Sequence, residues 1–206
     1  MHQTRRDSST NLPITRKGTK YIARASHHLY NSVPVVIAVR DMLKIAKNAK
    51  EVKEMIKNKS LKINGRVVTD YRESLLLFNI LEADKTYELS LLPTKKFVFV
   101  PVNYKNLRLC KVVNKRLLAK GAVQLNLHDG SNVISKEKIN VQDSVYLDFE
   151  GKVKKTATVE KDKQVFVMSG KYAGNMVKVS AIDGNKVTIK TKEVSAEIPI
   201  SAVAAI

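Results

Sequence analysis

The sequence predicts an α+β fold, in which a small helix-helix-hairpin module precedes two small antiparallel β-barrel-like domains. Three observations lead to this class. Apolar residues recur with a helical period between residues 33 and 57. The pair Asn64-Gly65 then separates two short apolar runs, as in a tight hairpin. Short β-like runs with intervening turn residues fill the chain from residue 95 onward. The predicted divisions are residues 1–32, 33–93, 94–160 and 161–206.

Residues 1–32 are predicted to be a basic arm that becomes ordered only on a partner. They show no sustained apolar period, and their cations meet almost no opposing charge. The cations are Arg5, Arg6, Arg16, Lys17, Lys20 and Arg24. The Arg and Ser content of this segment leaves a mitochondrial transit peptide open as the weaker alternative, with Asp7 as its one acid.

Two helices in tandem are predicted between the arm and the hairpin. Ser32 is the expected N-cap of the first helix, and Pro34 lies near its first turn. The first helix continues through apolar Val36, Val39, Leu43 and Ile45. The second has apolar Val52, Met55 and Ile56 and, on another side, Lys50, Lys53 and Lys57.

The hairpin follows the second helix directly. Asn64 and Gly65 can supply the positive φ angles of a type I′ turn. The resulting register places Leu61 opposite Val68 and Lys62 opposite Val67.

The remaining chain is predicted to be mostly strands. The runs SLLLFNIL and TYELSLLP are expected to be strands, or a strand with a short helix, and to close the first module near Pro93. After residue 95, turn residues such as Asp129-Gly130 and Glu150-Gly151 separate the β-like runs, which favours antiparallel barrels over a parallel sheet. Glycines in SGKYAG indicate a separate last module from about residue 161.

The composition points to a polyanionic partner. Lys and Arg number 37 against 19 Asp and Glu, which gives a formal net charge of +18. A phosphate backbone would relieve the self-repulsion of such a chain, and its binding would weaken steeply with salt. An anionic membrane surface is the competing partner, but the sequence has no apolar run long enough to span a bilayer.

Cys110 is the only cysteine, so no intrachain disulfide and no zinc site built from several thiolates can form. Its place in a β-like run predicts a small buried hydrophobe. A reducing, intracellular setting fits this cysteine usage.

Three stretches carry a family resemblance. NSVPVVIAVRDMLKIA with KEVKEMIKNKSLKINGRVVTD resembles a helix-helix-hairpin RNA-binding module of a small-subunit ribosomal protein, some pseudouridine synthases and some aminoacyl-tRNA synthetases. RLCKVVNKRLLAKGAVQLNLHDGSNVI closely resembles the central domain of the archaeal and eukaryotic-type "e" family of small-subunit ribosomal protein four. VMSGKYAGNMVKVSAIDGNKVTI is similar to the KOW motif that ends archaeal members.

The resemblance implies a structural, non-enzymatic component of the small ribosomal subunit. Its expected partners are small-subunit rRNA and neighbouring ribosomal proteins, with no small-molecule substrate, and its expected location is the cytoplasmic ribosome. Lys59 occupies a place where family members commonly have a helix-ending glycine. An RNA-modifying enzyme with the same RNA-binding module, and a dissociable factor containing a KOW motif, stay as alternatives.

The candidate RNA-binding residues share positive charge or hydrogen-bonding and stacking capacity. They are Arg16, Lys17, Lys20, Arg24, Arg40, Lys44, Lys47, Lys50, Lys53, Lys57, Lys62, Asn64, Arg66, Lys171 and Tyr172. Tyr21 is a further stacking candidate in the arm.

Each candidate also has a structural interpretation. A solvated helix face, locally paired with Glu51 and Glu54, is enough to explain the helix lysines. Asn64 is explained by the turn alone. Tyr172 can pack on its own domain beside a tight turn, and this interpretation stands level with RNA contact by Lys171 and Tyr172.

Other chemistries have weaker support. His128, Asp129 and Ser131 are the residue types of acyl-transfer catalysis, but adjacency in a turn does not give the geometry of a triad. The histidines have no metal-ligand spacing. The sequence therefore predicts no catalytic residue, no metal and no cofactor.

Overall fold

The computed structural model describes residues 2–103, 107–118, 121–190 and 195–206. The chain divides into two compact units, Met1–Asn106 and Leu107–Ile206. Strands dominate both units, with few helices. This bears out a mixed fold rich in antiparallel strands.

The helical part of the first unit is shorter than predicted. Helix α1 spans Val35–Ile37 and continues as a π-helical segment, Ala38–Met42. The predicted N-cap at Ser32 is wrong, because the N-cap position is Pro34 and the buried Ser32 hydroxyl donates instead to the carbonyl of His27. Residues 33–39 are all buried, so tertiary packing rather than an amphipathic period determines this segment.

Helix α2, Ala49–Lys57, is set by its own sequence signals. The Asn48 side chain accepts a hydrogen bond from the Glu51 amide at 2.9 Å, and the Glu51 carboxylate accepts from the Lys47 amide at 2.7 Å. These bonds form a variant of the capping box, in which the Glu51 carboxylate reaches the amide of Lys47, one residue before the N-cap Asn48, instead of the N-cap amide. After the C-cap Asn58, Lys59 has a φ of +56°, the left-handed conformation that usually selects glycine there.

Three antiparallel sheets complete the part of the first unit that the structure describes. Strand β1, His2–Thr4, pairs with β2, Tyr21–Ala23, and β3, Val33–Pro34, pairs with β6, Ser74–Leu75. The third sheet has the order β5-β4-β7-β8-β9. Its strands are β4 Lys62–Ile63, β5 Arg66–Val67, β7 Ile80–Glu82, β8 Thr86–Leu91 and β9 Phe97–Pro101.

The hairpin has the predicted register. Lys62 lies opposite Val67, and the Val68 amide donates to the Leu61 carbonyl at 3.0 Å. Strands β8 and β9 pair across the boundary predicted after residue 93, and the first unit extends to residue 106. The apolar run FVFV therefore belongs to the same sheet as the hairpin.

The arm has structure of its own, in contrast to the expectation that it orders only on a partner. Besides the β1-β2 pair, its residues Leu12 and Ala25 are buried. The Phe97 amide donates to the Asn11 carbonyl, and the Ser26 amide donates to the Arg72 carbonyl. The charge of the arm did not predict these contacts, because the arm packs on the unit through a few apolar side chains that lie between its cations.

The described residues of the second unit form two five-stranded antiparallel sheets. The first has the order β12-β11-β10-β13-β14, and the second has the order β18-β17-β16-β15-β19. The strands of the first are β10 Leu107–Leu117, β11 Val123–Leu127, β12 Asn132–Ser135, β13 Ser144–Asp148 and β14 Val153–Ala157. Those of the second are β15 Gln164–Val167, β16 Met176–Asp183, β17 Lys186–Lys190, β18 Ser195–Pro199 and β19 Val203–Ala205. Closure of either sheet into a barrel stays a prediction.

Each of these sheets has its own buried cluster. Val112, Leu125 and Leu147 belong to one cluster, whereas Val165 and Ile189 belong to the other. Because both clusters come from alternate, inward-facing strand residues, the opposite faces can carry polar and charged side chains.

Candidate nucleic-acid interface

The exposed lysines of α2 form one row on the helix. Lys50, Lys53 and Lys57 recur at intervals of three and four residues, which places them on the same face, while Val52 is buried on another. Among the described residues, these three ammonium groups form no ion pair with a carboxylate. The structural interpretation pairs these lysines with Glu51 and Glu54. Glu51 is instead bonded to the Lys47 amide and the Asn48 side chain, and Glu54 forms no ion pair among the described residues. The row is therefore available to phosphates.

Lys53 also has an aromatic neighbour. Its ammonium nitrogen lies 4.9 Å from the centroid of the Tyr71 ring, and the Arg72 guanidinium lies 5.6 Å from the same ring. Arg72 in turn donates hydrogen bonds to Asp70, and these bonds lower the pKa of Asp70. The aromatic contact positions Lys53 without neutralising it.

The α1–α2 connection, residues 38–48, contributes three more candidates, of which two are exposed and one is paired with an acid. Lys44 and Lys47 are exposed. Arg40 is half-buried and donates two hydrogen bonds to Asp41, at 2.9 and 2.7 Å. The hydrogen bond to Asp41 raises the pKa of Arg40, and the same acid offsets its charge, so Arg40 offers less to a phosphate than its sequence position predicted.

The hairpin candidates also differ from one another. Lys62 is exposed, whereas the Arg66 guanidinium forms an ion pair with Glu73 at 2.5 Å. Asn64 has a φ of +52°, and its side-chain oxygen accepts a hydrogen bond from the Ile80 amide at 2.9 Å. Asn64 thus joins the turn to the neighbouring strand β7, which gives it a structural role.

The arm and the α1–α2 connection together line a groove of about 1080 Å³. The arm contributes His2, Arg5, Thr15 and Tyr21 among others, and the connection contributes Arg40, Lys44 and Lys47. A second concavity of about 510 Å³ in the arm is lined by Arg6, Arg16 and Lys20 among others. The fold therefore brings candidates from separate parts of the sequence onto the first unit.

The two remaining arm candidates are not among the lining residues of either concavity. Lys17 is exposed, and Arg24 is half-buried and engaged in an interaction of its own.

Arg5 is a residue whose role sequence reasoning missed. Its guanidinium donates to the carbonyl of Thr19 at 2.8 Å, to the carbonyl of Thr15 at 2.6 Å and to the hydroxyl of Thr19 at 2.9 Å. A Cβ added to Gly18 would lie only 3.0 Å from this guanidinium. Arg5 thus closes the 15–19 loop rather than facing a partner, and no local sequence signal distinguishes it from the other cations of the arm.

Lys171 and Tyr172 lie in the second unit. Lys171 is exposed, with its ammonium nitrogen 5.7 Å from the Tyr172 ring centroid. Tyr172 is half-buried and packs against the buried cluster of the β15–β19 sheet. This packing supports the structural interpretation of Tyr172 and leaves Lys171 as the more accessible candidate.

The His128-Asp129-Ser131 turn is organised around structure. Ser131 donates from its hydroxyl to Asp129 at 2.6 Å, and Arg108 forms an ion pair with the same carboxylate. Burial alone would raise the pKa of Asp129, but Arg108 and Ser131 hold it below its usual value. His128 Nδ1 accepts a hydrogen bond from the Lys111 amide at 3.1 Å. The Ser131 hydroxyl donates to Asp129 and not to His128, as a catalytic serine would.

Cys110 is buried, as the sequence predicted, and desolvation raises its pKa to about 12. Within the described ranges, no group of three or more His, Cys, Asp or Glu side chains is placed to hold a metal ion. No helix in the described part of the chain is long and apolar enough to cross a membrane.

Comparison with known proteins identifies the family. A family model described as Ribosomal family S4e matches residues 83–154. The small ribosomal subunit protein eS4 of Methanocella arvoryzae is 34% identical over 177 residues, which cover 82% of this chain and 76% of that protein. The chain belongs to the S4e family.

Further S4e proteins extend the match. The eS4 protein of Methanothermobacter thermautotrophicus is 32% identical over 191 residues, covering 88% of this chain and 79% of that protein. The crystal structure of the 30S ribosomal protein S4e from Thermoplasma acidophilum superimposes with a TM-score of 0.72 at 20% identity, covering 85% of this chain and 95% of that one. The S4e fold thus spans both compact units.

Proposed function

We propose that this S4e protein is a structural constituent of the small ribosomal subunit that binds and stabilises folded small-subunit rRNA. Membership of the S4e family, whose relatives are named as small-subunit proteins, is the observation that carries the proposal. The net charge of +18 supports it, since rRNA is the polyanion that a ribosomal protein meets.

The α2 lysines and the hairpin act together in the proposed contact. Helix α2 offers a row of ammonium groups that have no carboxylate partner in the described part of the chain, and the rigid turn at Asn64 fixes where Lys62 stands relative to that row. A-form RNA exposes its phosphates, its 2′-hydroxyls and a shallow minor groove, so such a surface reads shape and backbone rather than base sequence. In this proposal, residues 33–93 serve as the helix-helix-hairpin RNA-binding module.

The second unit supplies separate contacts. The predicted start of the central domain at residue 94 does not fit, because strand β9 pairs with β8 in the first unit. We therefore assign residues 107–160 to the central domain and residues 161–206 to a KOW-type domain, with Lys171 as its RNA-facing cation. Contacts from one chain to separate rRNA segments raise the effective concentration of each contact once the first has formed. The expected location is the cytoplasmic ribosome, where the chain would also contact neighbouring ribosomal proteins.

The test is gradient sedimentation of lysate from the source cells, followed by a high-salt wash of the small subunits. A structural constituent sediments in stoichiometric amount with the small subunit and survives the wash. A chain that runs mostly free, or is removed by salt while the other small-subunit proteins remain, is instead a dissociable factor. Modified bases produced on purified rRNA by the purified chain would favour an RNA-modifying enzyme.

A further inference from the structure

The groove between the arm and the α1–α2 connection has two chemically different walls. Tyr21 and His2 form the aromatic wall, with ring centroids 4.6 Å apart at an interplanar angle of 63°. Lys44 and Lys47 line the groove from the connection, and buried Ile22 contributes apolar surface. We propose that this groove binds an unstacked nucleotide of single-stranded RNA, with its base on Tyr21 and its phosphate on Lys44 and Lys47. The inference rests on the proposed function as an rRNA-binding protein.

The Tyr21 ring is exposed, and contacts within the protein already position it for stacking. Its side chain is 49% exposed, although its backbone pairs with Thr4 in the β1-β2 sheet. The T-shaped contact with His2 restricts the orientation of the ring, and the Lys20 ammonium nitrogen lies over the ring, 5.4 Å from its centroid. A ring already held in place loses less conformational entropy when a base stacks on it.

The two lysines supply charge that the groove itself does not neutralise. Asp41 is the acid that lines the groove, and it accepts both of its side-chain hydrogen bonds from Arg40. Within the described ranges, Lys44 and Lys47 form no ion pair. Lys44 has a φ of +57°, so the backbone changes direction at this residue within the α1–α2 connection.

The shape of the groove favours a single strand over a duplex. Its volume of about 1080 Å³ slightly exceeds the usual range for small-molecule sites, roughly 300–1,000 Å³. That space accommodates a base together with its sugar and phosphate. Bases in an RNA duplex stack on one another, so only an unpaired nucleotide can place its face against an aromatic wall.

The experiment measures binding of the full chain to a fluorescent single-stranded RNA of about ten nucleotides, within the span of known single-strand sites. Tyr21→Leu is expected to weaken binding about tenfold, while Tyr21→Phe, which keeps the aromatic face, binds as the unchanged protein does. Tyr30→Leu is the matched control, because Tyr30 is 68% exposed and does not line the groove. Thermal unfolding of each variant shows whether the arm sheet is retained.

A second variant keeps the test independent of Tyr21. Replacing both Lys44 and Lys47 by Gln is expected to reduce the slope of log binding constant against log salt by about 0.7, the value for the one phosphate that both lysines contact in this proposal. Equal binding by Tyr21→Leu and Tyr30→Leu, or an equal loss for a duplex probe, overturns the proposal. In that case the chain can still sediment with the small subunit, so the failure of the groove is separate from the failure of the proposed function.

Discussion

Lys111 is the most unusual charged residue of the second unit. Its side chain is buried, and its ammonium group donates to the carbonyls of Ile200 and Val203, which belong to the neighbouring sheet and its 3₁₀ turn, Ile200–Ala202. Desolvation lowers the pKa of Lys111 from 10.5 to about 8. A lysine of strand β10 thus links the two sheets of this unit through a group that is easier to deprotonate than a surface lysine.

Lys111 should give the protein a distinct stability profile at alkaline pH. Between pH 8 and 10.5 the unfolded chain binds more protons at this residue than the folded chain, so the free energy of unfolding rises with pH in that window. The slope from one group is at most about 1.4 kcal/mol per pH unit. Urea unfolding at several pH values measures the difference between the unchanged protein and Lys111→Met.

The control for this prediction is Lys178→Met, because Lys178 is exposed. Its stability curve should run parallel to that of the unchanged protein. Parallel curves for Lys111→Met as well would show that Lys111 titrates in the folded protein as it does in the unfolded chain.

Asn64 should matter for stability through two separate effects. Asn64→Ala loses the hydrogen bond from Ile80 and places an alanine at a φ of +52°, which we expect to cost about 2–3 kcal/mol. Asn64→Gly keeps the backbone conformation and loses only the hydrogen bond, so its cost should be about 1 kcal/mol. Chemical denaturation tests this order, and equal stability of both variants would remove the structural role.

Residue-scale features were predictable from the sequence only where their cause is local. The turn at Asn64-Gly65 follows from the conformational preferences of its own two residues. The pairing of Arg66 with Glu73 depends on the path of the chain after the hairpin, so the sequence presented Arg66 as an available cation. Arg5 was missed for the same reason, since its acceptors lie up to fourteen residues away.

Among the elements, helix α2 ends in a conformation that its sequence does not favour. Lys59 is left-handed, with a φ of +56°. Lys59→Gly should therefore stabilise the protein by roughly 1 kcal/mol, because glycine relieves the steric cost of this conformation. Lys53→Gly, in the interior of the same helix, should destabilise it by about 1 kcal/mol. Thermal or urea unfolding of the pair provides the comparison, and a destabilising Lys59→Gly contradicts the C-cap assignment.

The lysine row of α2 should dominate the salt dependence of rRNA binding. Replacing Lys50, Lys53 and Lys57 together by Gln is expected to reduce the slope of log binding constant against log salt by about 2–3, because each phosphate that is no longer neutralised removes about 0.7–0.9 from the slope. Filter binding to small-subunit rRNA over a range of salt concentrations measures this slope.

A matched control removes the same charge elsewhere. Lys152, Lys163 and Lys186 are exposed lysines that already pair with Glu150, Glu160 and Glu197. Their joint replacement by Gln should change the slope far less. If both triple variants change it equally, net charge rather than the α2 row drives binding.

The two helices show why elements differ in predictability. Helix α2 carries its capping box and its amphipathic period within about ten residues, so local reasoning located it. The segment 33–39 is apolar and buried throughout, and such a run does not reveal whether it is a strand, an α-helix or a π-helical turn. Its mixed conformation is decided by packing inside the first unit.

For the whole molecule, the sequence did not indicate which sheet strand β9 joins. Strand β9 pairs with β8 within the first unit, although its apolar run resembles those of the following domain. The choice of pairing partner is a tertiary effect that strand propensity does not encode. The groove of the first unit could not be predicted from the sequence either, since its lining residues come from two separate ranges, 2–23 and 37–49.

Ultraviolet crosslinking in source cells, with sequencing of the attached RNA and mapping of the crosslinked peptides, is the decisive measurement for the proposed role in the small subunit. We predict one reproducible region of small-subunit rRNA, crosslinked mainly to the segment 44–66 that contains the α2 row and the hairpin. Crosslinks scattered over many RNAs would contradict that role, and crosslinks confined to the second unit would contradict the contact assigned to the α2 row and the hairpin.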